Sequence, residues 1–379
     1  NVSNAVGSSE EWEVGGGGIY TYESYFIITN TTIRNNSSAH NGGGVYFQGN
    51  SDQSIIDDCL IFNNSSAHNG GGFFGSNSQI KFLKSMVGNN SASSGGGFNL
   101  NYCNSEFLHL RIYENEATGS GGGIQFDHGS GVFTNVTIAD NSAPEGGAIL
   151  GHYNGTNGNE TLEFNNSIVW GNTTDEVTME YQDTDPQIDL TYNYNLSSVE
   201  LPGTGNIVGD PLLGSGYDPL EGSPAIDVGN PNAFYNDGDG TRNDMGYTGG
   251  NGITLSETEI DFGYLGVGDS RNKTLTITNT KDSDISVSGA AFDDSQFSTS
   301  TSFPVTVAAY SAADITLTFT PAATGAKTGT LQLSSADIPG DATYGEFALS
   351  GNAFDLSDSV VEVPGEVPTI QEAIDAASD

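Results

Sequence analysis

Glycine clusters recur at almost constant spacing along the first 150 residues, and this repeat constrains the fold more than any other feature. The residues that directly follow the clusters are Ile19, Val45, Phe73, Phe98, Ile124 and Ile149. A second pattern, an aliphatic residue with Asn three positions later, keeps the same phase. Its asparagines are Asn36, Asn64, Asn90, Asn115, Asn141 and Asn172. Because two independent patterns share one phase, we expect a stack of repeats of about 25 residues each.

A period of this length, without helical patterning, favours a parallel β-helix. Apolar and polar residues alternate after the clusters, as in Val45–Gln48, which is typical of strands. Propeller blades need about 40 residues, and leucine-rich repeats need leucines that are missing here. Stacked coils place equivalent residues over one another, so the asparagines are predicted to form a ladder of side-chain amides. The glycines are predicted to supply turns with positive φ.

The paired glycine and asparagine patterns resemble the repeats of polymorphic outer-membrane proteins and related surface β-helices. Ile or Val stands here where those repeats usually carry Phe. The resemblance implies a right-handed parallel β-helix at the cell surface or outside the cell, and no particular receptor. Residues 205–211, 223–229 and 237–246 resemble the closing region of bacterial choice-of-anchor Q β-helix proteins. We therefore expect the β-helix to cover residues 1–250, with an irregular closing region from residue 175 or so.

The composition changes near residue 252, where Asn becomes scarce and Thr, Ser and Val alternate. Short alternating segments such as 275–279 and 315–321 predict the strands of a β-sandwich. The order of D-F-G, L-T-I-T-N-T, F-x-P and G-T-L-x-L resembles the hydin-like, choice-of-anchor D immunoglobulin-type domain. That resemblance implies an Ig-like structural module over residues 251–354.

Residues 355–379 carry the pattern of a cap. Thr369 and Glu372 have the spacing of a capping box. Apolar residues then recur at positions i, i+3, i+4 and i+7 from Ile370, which predicts one apolar face of a short amphipathic helix. The segment resembles the opening of pectin-lyase-like β-helices, where a strand and a helix cover the first coil. Here it stands last, whereas the β-helix repeat begins near Asn1 without such a segment. The expected cap residues are Val363, Ile370, Ala373, Ile374 and Ala377.

The charge of the chain excludes whole classes of partner. Nine basic residues stand against 48 acidic ones, for a net charge of −39. Such a chain repels nucleic-acid backbones and anionic lipid. No stretch approaches the roughly 20 apolar residues of a membrane span. Because the chain begins at Asn1 without Met, we expect a processed protein or a segment of a longer one.

The best candidate for an ion site is the D-x-D-G-x-x-x-D loop. Its predicted ligands are Asp237, Asp239, Thr241, Asn243 and Asp244. Hard cations such as Ca²⁺ take several oxygen ligands in flexible geometry, and alternating Asp on a glycine-containing turn supplies them. The loop lacks the Glu of an EF-hand, and a polar turn capped by Asp is the alternative. We expect Ca²⁺ here, fixing the end of the β-helix against the sandwich.

A second candidate is a stripe of aromatic residues. The second residue after each glycine cluster should face outward, which predicts exposed, stacked Tyr20, Tyr46 and Phe74. Such a stripe suits glycan stacking or a protein neighbour. Coverage by a loop or by the sandwich is the alternative.

No catalytic constellation stands out. A polysaccharide lyase needs acidic Ca²⁺ ligands beside an Arg or Lys base, and Arg34 and Arg111 lie three coils apart by register. A hydrolase needs two carboxylates about 5–10 Å apart, for which Asp127 and Asp140 are available. With 48 acidic residues, chance pairs are expected.

The sequence therefore predicts a non-catalytic, extracellular structural or adhesive protein that assembles head to tail into a filament or array. Its partners would be copies of itself, through capping of a neighbouring β-helix, or tandem units of one longer polypeptide. A carbohydrate-active β-helix enzyme, lyase or hydrolase, and a glycan-binding surface protein are the alternatives.

Overall fold

The computed structural model describes residues 2–3, 5, 15–49, 53–153, 160–174, 177–181, 188–232, 235–238, 240–250, 253–257, 259–279, 281, 283–309, 311–335 and 344–355. The chain divides into two compact units, residues 1–230 with 242–249 and residues 231–241 with 250–379. Within the described ranges the regular elements are all strands, and no helix there is long and apolar enough to cross a membrane.

The first unit is a solenoid of three parallel sheets. Sheet I contains β1 (Val2–Ser3), β4 (Thr32–Arg34), β8 (Leu60–Phe62), β12 (Met86–Gly88), β15 (Arg111–Tyr113), β18 (Thr137–Ala139), β21 (Ile168–Trp170), β24 (Leu196–Ser197) and β25 (Ile207–Val208). Sheet II contains β2 (Ile19–Tyr22), β3 (Ile27–Thr29), β6 (Val45–Gln48), β7 (Gln53–Asp57), β10 (Phe73–Ser76), β11 (Gln79–Leu83), β14 (Phe98–Leu108), β17 (Ile124–Thr134), β19 (Ile149–Tyr153), β20 (Glu160–Asn165), β22 (Val177–Tyr181) and β23 (Ile188–Asn193). Sheet III contains β5 (Ser37–Ser38), β9 (Ser65–Ser66), β13 (Ser91–Ser94) and β16 (Glu116–Ser120).

Each coil runs from a glycine cluster through sheet II, then sheet I, then sheet III, and equivalent residues pair in register. Phe73, for example, lies between Val45 and Phe98. Its side chain is fully buried in the solenoid core, as are those of Val45 and Phe98. The chain therefore forms the parallel β-solenoid that the repeat predicts.

Strand pairing continues past the last residues that carry the repeat pattern. β22, β23 and β24 pair in parallel with β19, β20 and β21 of the preceding coil. The region expected to be irregular from residue 175 or so thus contains a further coil, because backbone pairing needs no particular side-chain motif.

The six repeat asparagines lie in one column at the turn between sheets I and III. The side-chain nitrogen of Asn64 donates to Asn90 Oδ1 at 3.0 Å, and that of Asn90 donates to Asn115 Oδ1 at 3.0 Å. Each Oδ1 also accepts the backbone N–H of the preceding asparagine, and each amide donates to a carbonyl of sheet I, as from Asn90 to Ile61 at 2.9 Å. Asn64 and Asn90 are almost fully buried, so the ladder satisfies polar groups that water cannot reach.

In the first five clusters, the last glycine lies against the ladder, which leaves little room for a side chain; Ala148 stands at this position in the sixth. A Cβ on Gly72 would lie 2.8 Å from the carbonyl oxygen of Gly97 and 3.0 Å from Asn90 Nδ2. The first glycine of the same cluster, Gly70, has a φ of 65°. A side chain is excluded by contact at one position and disfavoured by backbone conformation at the other.

The segment after β25 covers the outer face of sheet I. Arg111 on β15 donates from Nη1 to the carbonyl of Gly216 at 2.7 Å, and its guanidinium lies 4.1 Å from the ring centre of Tyr247. Asn135 donates to Asn243 Oδ1 at 2.9 Å and to the carbonyl of Asp244 at 3.0 Å. These contacts link residues more than 100 positions apart and fasten the segment to the solenoid.

The second unit is a sandwich of two sheets. One contains β26 (Ile253–Leu255), β28 (Arg271–Asn279), β32 (Ala312–Phe319) and β30 (Phe297–Thr299), all antiparallel. The other contains β27 (Glu259–Gly266), β34 (Tyr344–Phe354), β33 (Gly325–Ser335), β29 (Ile285–Phe292) and β31 (Val305–Val307). Tyr235 packs into the core of this sandwich, so residues 231–241 join it although they precede the expected boundary at 250.

Replacing Asn90 by Ala should lower the free energy of unfolding of the solenoid by about 3 kcal/mol, because it leaves the buried N–H of Asn64 and the carbonyl of Ile61 without their partners. Chemical denaturation monitored by circular dichroism measures the loss. Asn89→Gly is the matched control. Asn89 is exposed and has a φ of 55°, which glycine accepts, so its effect should stay within about 0.5 kcal/mol. Equal effects of the two changes would contradict the role of the ladder.

Candidate functional site

The residues of the predicted calcium loop fall in both units. Asp237 and Thr241 belong to the second unit, and Asn243 and Asp244 to the first. Asp239 lies outside the described residues. In the second unit, the Asp237 carboxylate accepts the backbone N–H of Gly250, and its backbone N–H donates to the carbonyl of Thr241 at 3.0 Å. This half of the loop is a turn capped by Asp237.

In the first unit, Asn243 and Asp244 accept hydrogen bonds from the backbone of residues 227–229. Asn243 is fully buried against Asn135, and its carbonyl accepts the N–H of Gly229 at 2.7 Å. Asp244 Oδ1 accepts the N–H of Asp227 at 2.7 Å. Oxygen atoms of the type that Ca²⁺ prefers are present in both halves, and each half also makes structural hydrogen bonds. Calcium binding stays a prediction from the sequence.

The aromatic stripe is stacked, but most of it is not exposed. The rings of Tyr20 and Tyr46 lie 5.2 Å apart, and those of Tyr46 and Phe74 lie 5.1 Å apart. Tyr20 is 46% exposed, whereas Tyr46 and Phe74 are only 8% and 6% exposed. The expectation of three exposed rings is therefore wrong for Tyr46 and Phe74.

The geometry of the coil explains this burial. Tyr46 has a stacked ring on each face, whereas Phe74 has Tyr46 on one side and pairs with Asn99 on the other. The glycine turns lie close to these residues. A Cβ on Gly42 would sit 2.8 Å from the Cα of Tyr46, and a Cβ on Gly15, in the preceding coil, would overlap the Tyr46 ring. Among the described residues, Tyr20 stacks on one neighbour, Tyr46. The described part of the stripe thus stabilises the outer surface of sheet II and exposes mainly the Tyr20 ring.

The two carboxylates considered as a hydrolase pair, those of Asp127 and Asp140, lie on different sheets and each accepts a hydrogen bond from a neighbouring side chain. Asp127 lies on β17 of sheet II and accepts from the Gln125 amide at 2.9 Å. Asp140 follows β18 of sheet I and accepts from the Tyr217 hydroxyl at 3.1 Å, as Glu114 does at 3.0 Å. Burial, together with these carboxylates, raises the pKa of Tyr217. The two acids proposed as a hydrolase pair thus belong to different faces of the solenoid.

Neither Arg34 nor Arg111 is placed to act as the base of a polysaccharide lyase. Arg34 is exposed, with its guanidinium 5.8 Å from the ring centre of Phe62. Arg111 is held by Gly216 and Tyr247, and burial lowers its pKa, opposed by Asp218. Neither side chain lies in a cluster of acids that the structure describes.

The N-terminal end of the solenoid carries an apolar surface. β2 and β3 are the last strands of sheet II on this side, and beyond them no described strand pairs. Tyr22 is 48% exposed, and Tyr25 and Ile27 are each 62% exposed. Together with Tyr20 they form the N-terminal patch, and Ile19, Phe26 and Ile28 beneath it are only partly buried.

The other end of the solenoid is covered by its own chain. After β24, residues 198–203 leave the stack, and Leu201 packs against the solenoid core. Thr204 then returns to pair with Asn193. A cavity of about 400 Å³ remains beside this segment, with walls that include Trp170, Asn172 and Val199. The predicted cap residues Val363, Ile370, Ala373, Ile374 and Ala377 lie outside the described residues.

Comparisons with known proteins agree with both units. Residues 2–143 match the family model described as the right-handed β-helix region, and residues 253–339 match the ASH model (abnormal spindle-like microcephaly-associated, ASPM-SPD-2-Hydin). The first match falls in the solenoid and the second in the sandwich, and each covers less than half of the chain. Among curated proteins, none matches this chain.

Several solved structures are similar to about a quarter of this chain. PapD-like domain 7 of human CEP192 is 16% identical, with 27% of this chain and 86% of that one covered, and a TM-score of 0.21. The secreted serine protease VesC from Vibrio cholerae is 17% identical, with 28% and 24% covered and a TM-score of 0.23. The C. elegans MSP family member WR4 is 14% identical, with 27% and 98% covered and a TM-score of 0.21. Scores this low carry no conclusion about function.

Sequence reasoning missed the contacts that close the solenoid. Asn195 donates from its backbone to Asn206 Oδ1 at 2.9 Å and continues a second, shorter amide column at the turn between sheets II and I. The contact between Asn135 and Asn243 is likewise not predicted by any sequence pattern. A residue pair over 100 positions apart leaves no local signal, whereas Asn195 follows a left-handed residue, Tyr194, as Asn36 follows Asn35.

Calcium should raise the thermal midpoint of the protein by a few degrees relative to chelator, because a cation bound only to the folded state stabilises it by mass action. Differential scanning calorimetry in CaCl₂ and in EGTA measures the shift, and Asp239→Ala should abolish it. Asp269→Ala, at an exposed acid of the second unit, should leave the shift unchanged. Identical midpoints in CaCl₂ and EGTA would reject the calcium site.

Proposed function

We propose that this protein is a non-catalytic, extracellular structural or adhesive protein that assembles head to tail through the N-terminal end of its solenoid. The observation that carries the proposal is the N-terminal patch of Tyr20, Tyr22, Tyr25 and Ile27 on the edge strands of sheet II. Contiguous apolar groups beside an unpaired sheet edge favour association with another chain.

The difference between the two solenoid ends supports an ordered direction. At the far end, Leu201 covers the core, and the segment after β25 packs on sheet I through Met245 and Ala225. At the N-terminal end, described core residues such as Phe26 and Ile28 remain partly accessible. Two unlike surfaces make a heterologous contact, which builds rings or filaments rather than closed dimers.

The proposed occupant of the N-terminal patch is the segment 363–377 of a second copy. Ile370, Ala373, Ile374 and Ala377 share one helical face in the sequence pattern, which suits an apolar surface. In a longer polypeptide, the same segment would cap a following β-helix of the same chain. The two arrangements use the same contact.

Support for a role without catalysis comes from the sites themselves. Arg111 is committed to Gly216 and Tyr247, and Asp127 and Asp140 lie on different faces. A net charge of −39 keeps copies soluble and suits an exposed surface protein.

Light scattering across a concentration series tests the assembly. The full chain should form oligomers at high concentration, and Ile27→Asp should shift association to at least about tenfold higher concentration, because a charge is buried in the contact. Leu60→Asp is the matched control, since Leu60 is an exposed apolar residue on β8 of sheet I. It should associate as the unchanged protein does.

Removal of residues 360–379 should leave a folded monomer. A full chain that stays monomeric at the highest concentration, with and without Ca²⁺, would contradict assembly of separate chains. Equal effects of Ile27→Asp and Leu60→Asp would contradict the N-terminal patch as the contact.

A further inference from the structure

Two acidic residues lie one above the other at exposed turns of the solenoid, each directly before a ladder asparagine. Glu114 and Asp140 follow β15 and β18, which pair in register, and both have positive φ, 49° and 54°. Of the six residues that precede the ladder asparagines, only these two are acidic. At a strand spacing of about 4.8 Å, their carboxylates repel each other unless another group lies between them.

The hydroxyl group of Tyr217 lies between these two carboxylates. Its oxygen is 3.0 Å from Glu114 Oε1 and 3.1 Å from Asp140 Oδ2. The ring of Tyr217 packs against Tyr113, with the ring centres 4.9 Å apart. Tyr217 belongs to the short hairpin of residues 212–220, which follows β25. The contact therefore fastens this hairpin to two coils of the solenoid at once.

One proton cannot serve both of these contacts. A phenol has a single O–H donor, and an ionised carboxylate can only accept. When Tyr217 donates to one carboxylate, the other faces the phenol oxygen with no hydrogen between them, although both distances are those of hydrogen bonds. Among the described residues, neither carboxylate forms an ion pair that would offset this contact. The arrangement is complete only when it holds a second proton.

The other charged and titratable groups nearby do not supply this proton. Arg111 on β15 donates to the carbonyl of Gly216 at 2.7 Å, and Asp218 adds a negative charge close to Arg111. Burial raises the pKa of Tyr113, and burial together with the two carboxylates raises the pKa of Tyr217, so both phenols keep their protons in the neutral range. The group that takes up a proton on acidification is therefore one of the two carboxylates.

We propose that Glu114, Asp140 and Tyr217 form an acid-strengthened clasp, in which one carboxyl group takes up a proton and donates it to the phenol oxygen while the phenol donates to the other carboxylate. The clasp then contains two hydrogen bonds instead of one. Because the closed clasp binds a proton more readily than the open hairpin, its stability increases as the pH falls through the range in which carboxyl groups titrate, about pH 6 to 4. The hairpin thus covers sheet I more firmly in acid, independently of head-to-tail assembly.

Backbone hydrogen exchange of the hairpin tests the clasp. Rates are expressed as protection relative to an unstructured chain, which removes the intrinsic effect of pH on exchange. The N–H of Leu220, which donates to the carbonyl of Leu212 at 3.0 Å, should be at least about fivefold better protected at pH 4.5 than at pH 7.5, because one more hydrogen bond holds the hairpin. All samples contain EGTA, so that no divalent cation bridges the two carboxylates.

Two variants separate the clasp from other effects of pH. Tyr217→Phe keeps the ring against Tyr113 but removes the hydroxyl, so protection should be low and equal at both pH values. Glu114→Gln supplies a permanent N–H donor to the phenol oxygen, so protection should be high and equal at both. Glu116→Gln, at an exposed acid on β16, is the matched control and should keep the pH dependence of the unchanged protein.

Equal protection of Leu220 at pH 4.5 and pH 7.5 in the unchanged protein would overturn the proposal. So would a pH dependence that persists in Tyr217→Phe, or one that Glu114→Gln leaves intact. At each pH, the N–H of Asn90, which donates to Asn115 Oδ1 at 3.1 Å, should be equally protected in all variants. That comparison verifies that the solenoid stays folded, so a change at Leu220 reports on the clasp.

Discussion

The spacing of about 4.8 Å between stacked strands is the constraint on which the solenoid depends. At this distance every side chain contacts the equivalent side chains in the coils above and below. A column of identical residues is therefore stable only if that side chain packs favourably against copies of itself. Asparagine does so because a carboxamide both donates and accepts, as between Asn64 and Asn90. Aromatic rings do so by stacking, as Phe107 does on Phe133 at 4.5 Å. Buried like charges would not, and acids such as Glu114 and Asp140 lie at exposed turns.

This constraint explains which parts of the fold are predictable from sequence. A side chain at Gly72 would meet Asn90, so the glycine and asparagine patterns recur in phase and their spacing predicts the coil and its three faces. The burial of Tyr46 is harder to predict from sequence. Strand alternation correctly places this side chain outside the core, but it is covered by its stacked neighbours and by the glycine turn, which alternation does not show. The contact of Asn135 with Asn243 has no local signal. The coil made by β22 and β23 lacks the repeat residues and is held by backbone pairing.

The same constraint connects the fold with the proposed function. A stack of coils has two ends, and each must be covered by something other than another coil of its own. Leu201 packs on the core at one end, where a cavity remains beside Asn172, and the residues after β25 cover the outer face of sheet I. The other end presents Tyr25 and Ile27 on edge strands. The difference between these two ends is the feature on which the proposed head-to-tail assembly rests.

Amide hydrogen exchange resolved to single residues tests the central claim, that the ladder fixes the stack and stops at the sixth coil. The account predicts strong protection of the backbone N–H groups of Asn64, Asn90 and Asn115, which donate to a buried amide oxygen. It predicts fast exchange at Asn172, whose N–H has no acceptor among the described residues. Comparable protection at Asn90 and Asn172 in the free protein would contradict the account.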